Sequence, residues 1–241
     1  MKKDRRPAVL VTGGARRIGR AVALALAADG FDVAVHYNRS APDAVKTAVA
    51  IKKTGADCDI FQADLFDEGD AAGLLWSVAK RFPSLSVLVN SASLFVPSDM
   101  GGEDTELLQK HWAVHVKAPW VLTAEFAKIV KSGVVVNFLD AAIAKNKTDF
   151  GAYLLSKKAL AELTMMQAVR FAPHVRVNAV APGLILAPEG RGSWYLKKRA
   201  AGVPLKRPGN VQDVTRAVRF LIASDYVTGQ TIFVDGGEHL V

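Results

Sequence analysis

Tyr153 and Lys157 stand in the run Tyr153-Leu154-Leu155-Ser156-Lys157, a spacing that places a phenol and an ammonium one turn apart on one helical face. A tyrosine with its ordinary pKa of about 10 is a poor acid–base group at neutral pH, and a nearby ammonium favours the phenolate and lowers that pKa. The pair therefore suits proton transfer, although the same spacing also occurs on solvated helix faces. A second group lies near the N-terminus, in Thr12-Gly13-Gly14-Ala15-Arg16-Arg17-Ile18-Gly19. Glycines after a strand let the backbone turn tightly and approach a pyrophosphate, which rests on the positive end of the following helix. The third group, His36-Tyr37-Asn38-Arg39-Ser40, closes the second apolar run. A dinucleotide without a 2′-phosphate would want an acid there for its ribose hydroxyl, and none is present. Arg39 and Ser40, with Arg17 arriving from the glycine turn, offer a guanidinium fork and a hydroxyl to a 2′-phosphate instead. NADPH is the expected cofactor, with Arg39 as a solvated loop residue being the plainer alternative.

These groups need a frame. Apolar runs alternate with helix-period segments along the whole chain, the pattern of repeated βα units and a parallel sheet. Strands are expected at 8–12, 33–37, 59–65, 87–91, 134–139, 175–181 and 231–234. Helices are expected at 17–28, 42–54, 70–81, 152–171 and 211–224, with one long apolar-periodic stretch over 105–130. No linker or composition break interrupts them, so residues 1–241 read as a single α/β domain. The long irregular stretch from Leu184 to Asn210 carries four glycines and three prolines. Loops of that length are uncommon unless functional, and 187–210 is the expected lid over a substrate.

Half of the 241 residues are hydrophobic and 22% are charged, which suits a packed core and argues against disorder. No apolar run reaches the roughly 18 residues of a membrane span. The basic N-terminus leads into a strand-like run rather than a signal-peptide core, so a cytoplasmic protein is expected. The single cysteine, Cys58, excludes an internal disulfide and lies between Asp57 and Asp59 as a bystander. The net charge of +8 is spread along the chain without the aromatic–basic interleaving of single-strand binders. Neither nucleic acid nor a metal is expected as a partner.

The glycine turn, the dinucleotide strands and Tyr-x-x-x-Lys together resemble the short-chain dehydrogenase/reductase family over essentially the whole chain. Asp64 after strand three, Asn90-Ser91-Ala92 after strand four, Asn178 to Pro182-Gly183 after strand six and the Val234-Asp235-Gly236-Gly237 ending add to the resemblance. It implies a doubly wound (Rossmann) seven-stranded parallel sheet with helices on both faces, and a homo-oligomer, with a tetramer favoured over a dimer. It also implies cofactor contacts at Gly13, Arg16, Arg17, Ile18, Gly19, His36, Tyr37, Asn38, Arg39, Ser40, Asp64, Leu65, Asn90, Ser91, Ala92, Tyr153, Lys157, Pro182 and Gly183.

Three departures from the family's common pattern narrow the substrate. Arg17 replaces a glycine, Asp140 stands where a catalytic serine is usual, and His115 stands where an asparagine is usual. Together with Ser93-Leu94-Phe95, the run from His115 to Pro119 and the Gly236-Gly237-Glu238-His239-Leu240 end, they resemble the pteridine reductase branch and its dihydromonapterin reductases. The implied substrate is a flat pterin. Phe95 would stack on it, Asp140 would bond to Tyr153 and to a pterin donor, and Arg17 and Ser93 would complete the substrate site. Core packing for Phe95 and a strand-end cap for Asp140 are the plainer alternatives. Lys157 would bind the nicotinamide ribose and tune Tyr153. After Pro182-Gly183 the chain has Leu184-Ile185-Leu186 where many relatives carry a hydroxyl residue, leaving backbone alone for the pyrophosphate. The basic run of Trp194, Tyr195, Lys197, Lys198 and Arg199 would lie on the lid. The expected reaction is NADPH-dependent reduction of a 7,8-dihydropterin of the monapterin, biopterin or folate type. A carbonyl or 3-oxoacyl reductase, or an idle NADPH-binding sensor, are the alternatives.

Overall fold

Val-rich runs buried on both faces build a parallel sheet, whose strands read as continuous apolar stretches rather than alternating ones. The computed structural model describes residues 6–98, 100 and 105–241. Its strands are β1 (Ala8–Val11), β2 (Asp32–Tyr37), β3 (Cys58–Gln62), β4 (Leu85–Asn90), β5 (Gly133–Phe138), β6 (Val175–Pro182) and β7 (Thr231–Val234). They form one seven-stranded sheet in the order β3-β2-β1-β4-β5-β6-β7, every neighbouring pair parallel. The order of strands reverses between β1 and β4. Ligands of such sheets bind in the crevice at the carboxyl ends of the strands beside that reversal.

The helices are α1 (Arg17–Ala28), α2 (Ala41–Lys52), α3 (Glu68–Arg81), α4 (Thr105–Trp112), α5 (Ala118–Ile129), α6 (Gly151–Phe171), α7 (Ser193–Ala200) and α8 (Val211–Ala223). One core layer packs Val22, Leu26, Ile51, Val214, Val218 and Leu221 of α1, α2 and α8 against Val9, Val35 and Val89 of the sheet. The opposite layer sets Leu75, Val78, Leu122 and Phe126 of α3 and α5 against Leu10, Leu88 and Val135. The carboxyl strand ends thus stay clear between two rigid layers. No helix among the described residues is long and apolar enough to cross a membrane.

Two expectations change. The 105–130 stretch is not one helix: α4 and α5 flank a π turn at Ala113–Lys117. Pro119 has no N–H to give to the carbonyl four residues back, so the α-helical ladder cannot run through, and π turns of this kind gather at functional sites. The 184–210 stretch is not irregular throughout, because α7 forms within it. Gly190, Gly192 and Gly202 frame an eight-residue run whose only buried side chain is Ala200, too weak a periodic signal to see against its glycines.

Candidate active site

The glycine turn is built by close approach. Gly13 adopts φ +61°, and a Cβ there would lie 2.9 Å from Ala92 Cα. A Cβ on Gly19 would lie 2.4 Å from the Gly13 carbonyl oxygen and 2.7 Å from Ser91 Oγ. Glycine alone fits, and the bare backbone it leaves opens onto the N-terminus of α1. Such a cradle suits a pyrophosphate. Thr12 Oγ1 accepts the N–H groups of Ser91 (3.0 Å) and Ala92 (3.1 Å), holding the loops after β1 and β4 together.

His36 supports this turn from behind. Its Nδ1 accepts from the Gly13 N–H at 3.1 Å, and its Nε2 reaches the Ala63 carbonyl at 3.2 Å. Burial lowers its pKa to about 4, so the imidazole stays neutral. The His36 side chain thus braces the glycine turn. The Leu65 side chain is buried in the core with Leu74 and Leu75, which leaves its backbone at the carboxyl end of the sheet. Ile18 packs on the core under α1. Asn90 gives its amide to Asn137 Oδ1 at 2.8 Å inside the sheet and fastens β4 to β5.

Arg17 sits at φ +52°, the left-handed region that favours glycine and costs another residue about 1 kcal/mol. This explains why a glycine is the easier choice at that position, and residues held there cluster at functional sites. The Arg17 guanidinium donates to the Ala187 carbonyl at 2.9 Å, and Arg16 pairs with Glu189 and Asp43. Both arginines of the turn thus reach the segment leading to α7. At the ends of β2 and β3, Asn38 donates to Asp64 Oδ1 at 3.1 Å. Arg39 is exposed with no ion-pair partner among the described residues, and Ser40 precedes α2 without using its hydroxyl as a cap. Gly183 is required where it stands, because a Cβ would lie 2.5 Å from Asp235 Cβ.

The carboxyl end of β5 faces the start of α6. Tyr153 donates its hydroxyl to Asp140 Oδ2 at 2.8 Å, and Asp140 Oδ1 accepts the Ala142 N–H at 2.7 Å. Asp140 is therefore a strand-end cap with one oxygen and the tyrosine's partner with the other. Lys157 is fully buried and donates to the Phe138 carbonyl at 2.6 Å, with Nζ 5.9 Å from the Tyr153 ring centre. Burial lowers its pKa from 10.5 to about 8. Tyr153 departs from expectation: its pKa rises well above 10, through burial first and the Asp140 carboxylate second. Desolvation disfavours the phenolate, and Asp140 accepts a bond that only the phenol can give. The site holds Tyr153 in its protonated, phenol form.

Above this pair, Phe95 is half exposed and stacks on Phe150 at 4.5 Å with an 11° tilt, its edge against the Tyr153 ring at 4.8 Å. Ser93 is exposed on the same segment. Phe150 escaped sequence reading, the only signal being an aromatic three residues before Tyr153. Ser98 joins the walls, bridging to Phe150 and accepting the Ala152 N–H at 2.9 Å.

A family model described as enoyl-(acyl carrier protein) reductase matches residues 13–239. The chain belongs to the short-chain dehydrogenase/reductase family, in its pteridine reductase branch. This reductase is 39% identical to the structure of FolM alternative dihydrofolate reductase 1 from Brucella suis in complex with NADP, with TM-score 0.92 over 98% of this chain and 96% of that one. It is 36% identical to a Streptomyces violaceoruber protein named as a granaticin polyketide synthase ketoacyl reductase, over 98% of this chain and 97% of the other. It is 29% identical to a dihydromonapterin reductase of Escherichia coli O6:H1, with both chains fully covered.

Proposed function

We propose that this reductase converts a 7,8-dihydropterin to the tetrahydropterin with NADPH. The observation that carries the proposal is Asp140, which takes the Tyr153 hydroxyl on one oxygen while the other is pinned to the backbone. The named activities of the dihydromonapterin and dihydrofolate reductase relatives support it. NADPH, when bound, supplies the hydride for C6 of the pterin.

The residues present fit that cofactor. The Gly13–Gly19 turn with Ile18 would cradle the pyrophosphate, while Arg16, Arg39 and Ser40 would serve the 2′-phosphate. Tyr37, Asn38, Asp64 and the Leu65 backbone would flank the adenine. Asn90, Ser91, Ala92, Lys157 and the Pro182–Gly183 backbone would border the nicotinamide half. The open face of Phe95 would take the pterin ring, with Arg17 and Ser93 at its edge. Tyr153, kept as a phenol, would pass its proton to N5 and regain one from a transiently protonated Asp140, which is half-buried and meets solvent. The relay returns both groups to their starting charge. Residues 187–210, α7 included, would close over the substrate.

The ketoacyl reductase relative raises ketone reduction as a second chemistry. A carboxylate at Asp140 would repel the oxyanion that develops on a reduced ketone, whereas a hydroxyl would stabilise it. Dihydropterin reduction is therefore preferred, and NADPH oxidation with dihydropterins and ketones compared side by side tests the choice.

Two cofactor experiments bear on the same proposal. Arg39→Asp weakens NADPH far more than NADH, by about 2–3 kcal/mol, as a charge-assisted phosphate bond gives way to repulsion. Titration of both cofactors by fluorescence checks this, and equal affinities in the unmodified protein would contradict it. Lys157 loses its charge as pH rises through about 8 rather than 10.5. The ammonium is the form that binds a ribose hydroxyl, so NADPH affinity falls on the alkaline side of that step. An affinity unchanged across it would remove Lys157 from the cofactor site.

The proposal extends to assembly. Trp120 on α5 and Met166 and Val169 on α6 are 56%, 63% and 83% exposed, a wide apolar face that a second copy of the chain would cover. A tetramer is the proposed state. Val169→Glu shifts the protein towards smaller species in light scattering, and a protein already monomeric before substitution would contradict the assembly. A cytoplasmic setting is proposed with it, consistent with Cys58 as a lone buried thiol whose pKa is pushed up to about 12.

A further inference from the structure

His115 lies at the centre of the π turn and is buried. Its Nε2 accepts the Leu94 N–H at 3.1 Å and lies 3.0 Å from Ser93 Oγ. Because a backbone N–H can only donate, Nε2 carries no proton, and Nδ1 does. Nδ1 then donates to Ser156 Oγ at 2.8 Å, and the Ser156 hydroxyl in turn donates to the Tyr153 carbonyl at 2.7 Å. The imidazole ring also stands edge-on to the Tyr153 ring, with centres 5.5 Å apart. One side chain therefore joins the Ser93–Phe95 segment to the helix that carries Tyr153 and Lys157.

We propose that His115 is the positioning residue that sets the substrate wall of Phe95 at a fixed distance from the Tyr153 hydroxyl. It has no free nitrogen with which to carry a proton. Burial, with Lys157 and His111 nearby, holds its pKa well below 6.5, so it stays neutral through the working range. The π turn provides the means. An extra residue in that turn rotates His115 inward, where a regular helix would present a different face. The consequence for catalysis rests on the proposed dihydropterin reduction, whereas the tie itself does not.

Three variants separate the two ends of the tie. His115→Phe keeps a ring and removes both bonds. His115→Asn keeps an amide near Ser156 but cannot reach Leu94, and His115→Gln reaches Leu94 again. NADPH binding serves as the check that each variant is folded. The expected result is a rise of about tenfold in KM for dihydropterin in the Phe and Asn variants, the size of one lost buried hydrogen bond. The Gln variant returns towards the unmodified value, and the pH profile of kcat keeps its shape in all three. Hydrogen exchange over residues 92–97 reads the tie without any substrate and accelerates in the Phe and Asn variants. A fall in kcat at constant KM with a displaced pH profile would make His115 a proton carrier and overturn the proposal. Unchanged exchange in the Phe variant would overturn it as well. Faster exchange in a protein that turns over no dihydropterin would leave the tie standing and remove the proposed reaction instead.

Discussion

Tyr153→Phe lowers dihydropterin turnover by about 10²–10⁴-fold, the usual contribution of a positioned general acid. The substitution removes one oxygen and leaves the ring, so the packing against Phe95 and His115 persists. Folding and NADPH binding therefore survive, which separates lost chemistry from lost structure. Burial and Asp140 hold the phenol protonated, so it enters the reaction as a donor. Its loss should act on kcat more than on KM, because the hydroxyl matters most where N5 gains its proton. Thermal melting and cofactor titration alongside steady-state rates check all three statements. Turnover equal to that of the unmodified enzyme would show that Asp140 or solvent delivers the proton without Tyr153.

Asp140→Ser cuts dihydropterin reduction by a comparable factor and admits weak ketone reduction. A serine hydroxyl can still cap the turn at Ala142, since serine is among the best capping side chains. Stability should thus change by less than about 1 kcal/mol, within the range of a substituted cap. What disappears is the second oxygen, the one that holds the Tyr153 hydroxyl and would lend it a proton. The carboxylate's repulsion of a ketone oxyanion disappears with it. NADPH affinity, governed elsewhere, stays nearly constant. Rates for both substrate classes, with cofactor binding measured separately, decide the matter. A serine variant that keeps full dihydropterin activity would reduce Asp140 to its capping role.

The strands were legible because burial on both faces of a parallel sheet demands apolar runs, and Ala8–Val11 and Val134–Val136 show this plainly. The pairing of Asp140 with Tyr153 was legible too, from a resemblance in the placing of the two residues. The π turn was hidden because its apolar pattern continues that of the helices on either side, leaving Pro119 as the one hint. Helix α7 was hidden by the glycines on either side of it and by its solvated face. The Tyr153 pKa was read in the wrong direction because sequence showed Lys157 one turn away but not the burial that outweighs it. The inward turn of the His36 and Leu65 side chains was hidden in the same way. Position along the chain gives the end of a strand, and only packing says which way the side chain turns.

The most direct measurement is NADPH oxidation by the unmodified protein with a panel of 7,8-dihydropterins, ketones and 3-oxoacyl thioesters, compared by kcat/KM. The expected result is a kcat/KM for at least one dihydropterin that exceeds that of every ketone and thioester, lost in the Asp140→Ser protein. A preference for ketones or thioesters over every dihydropterin offered would contradict it.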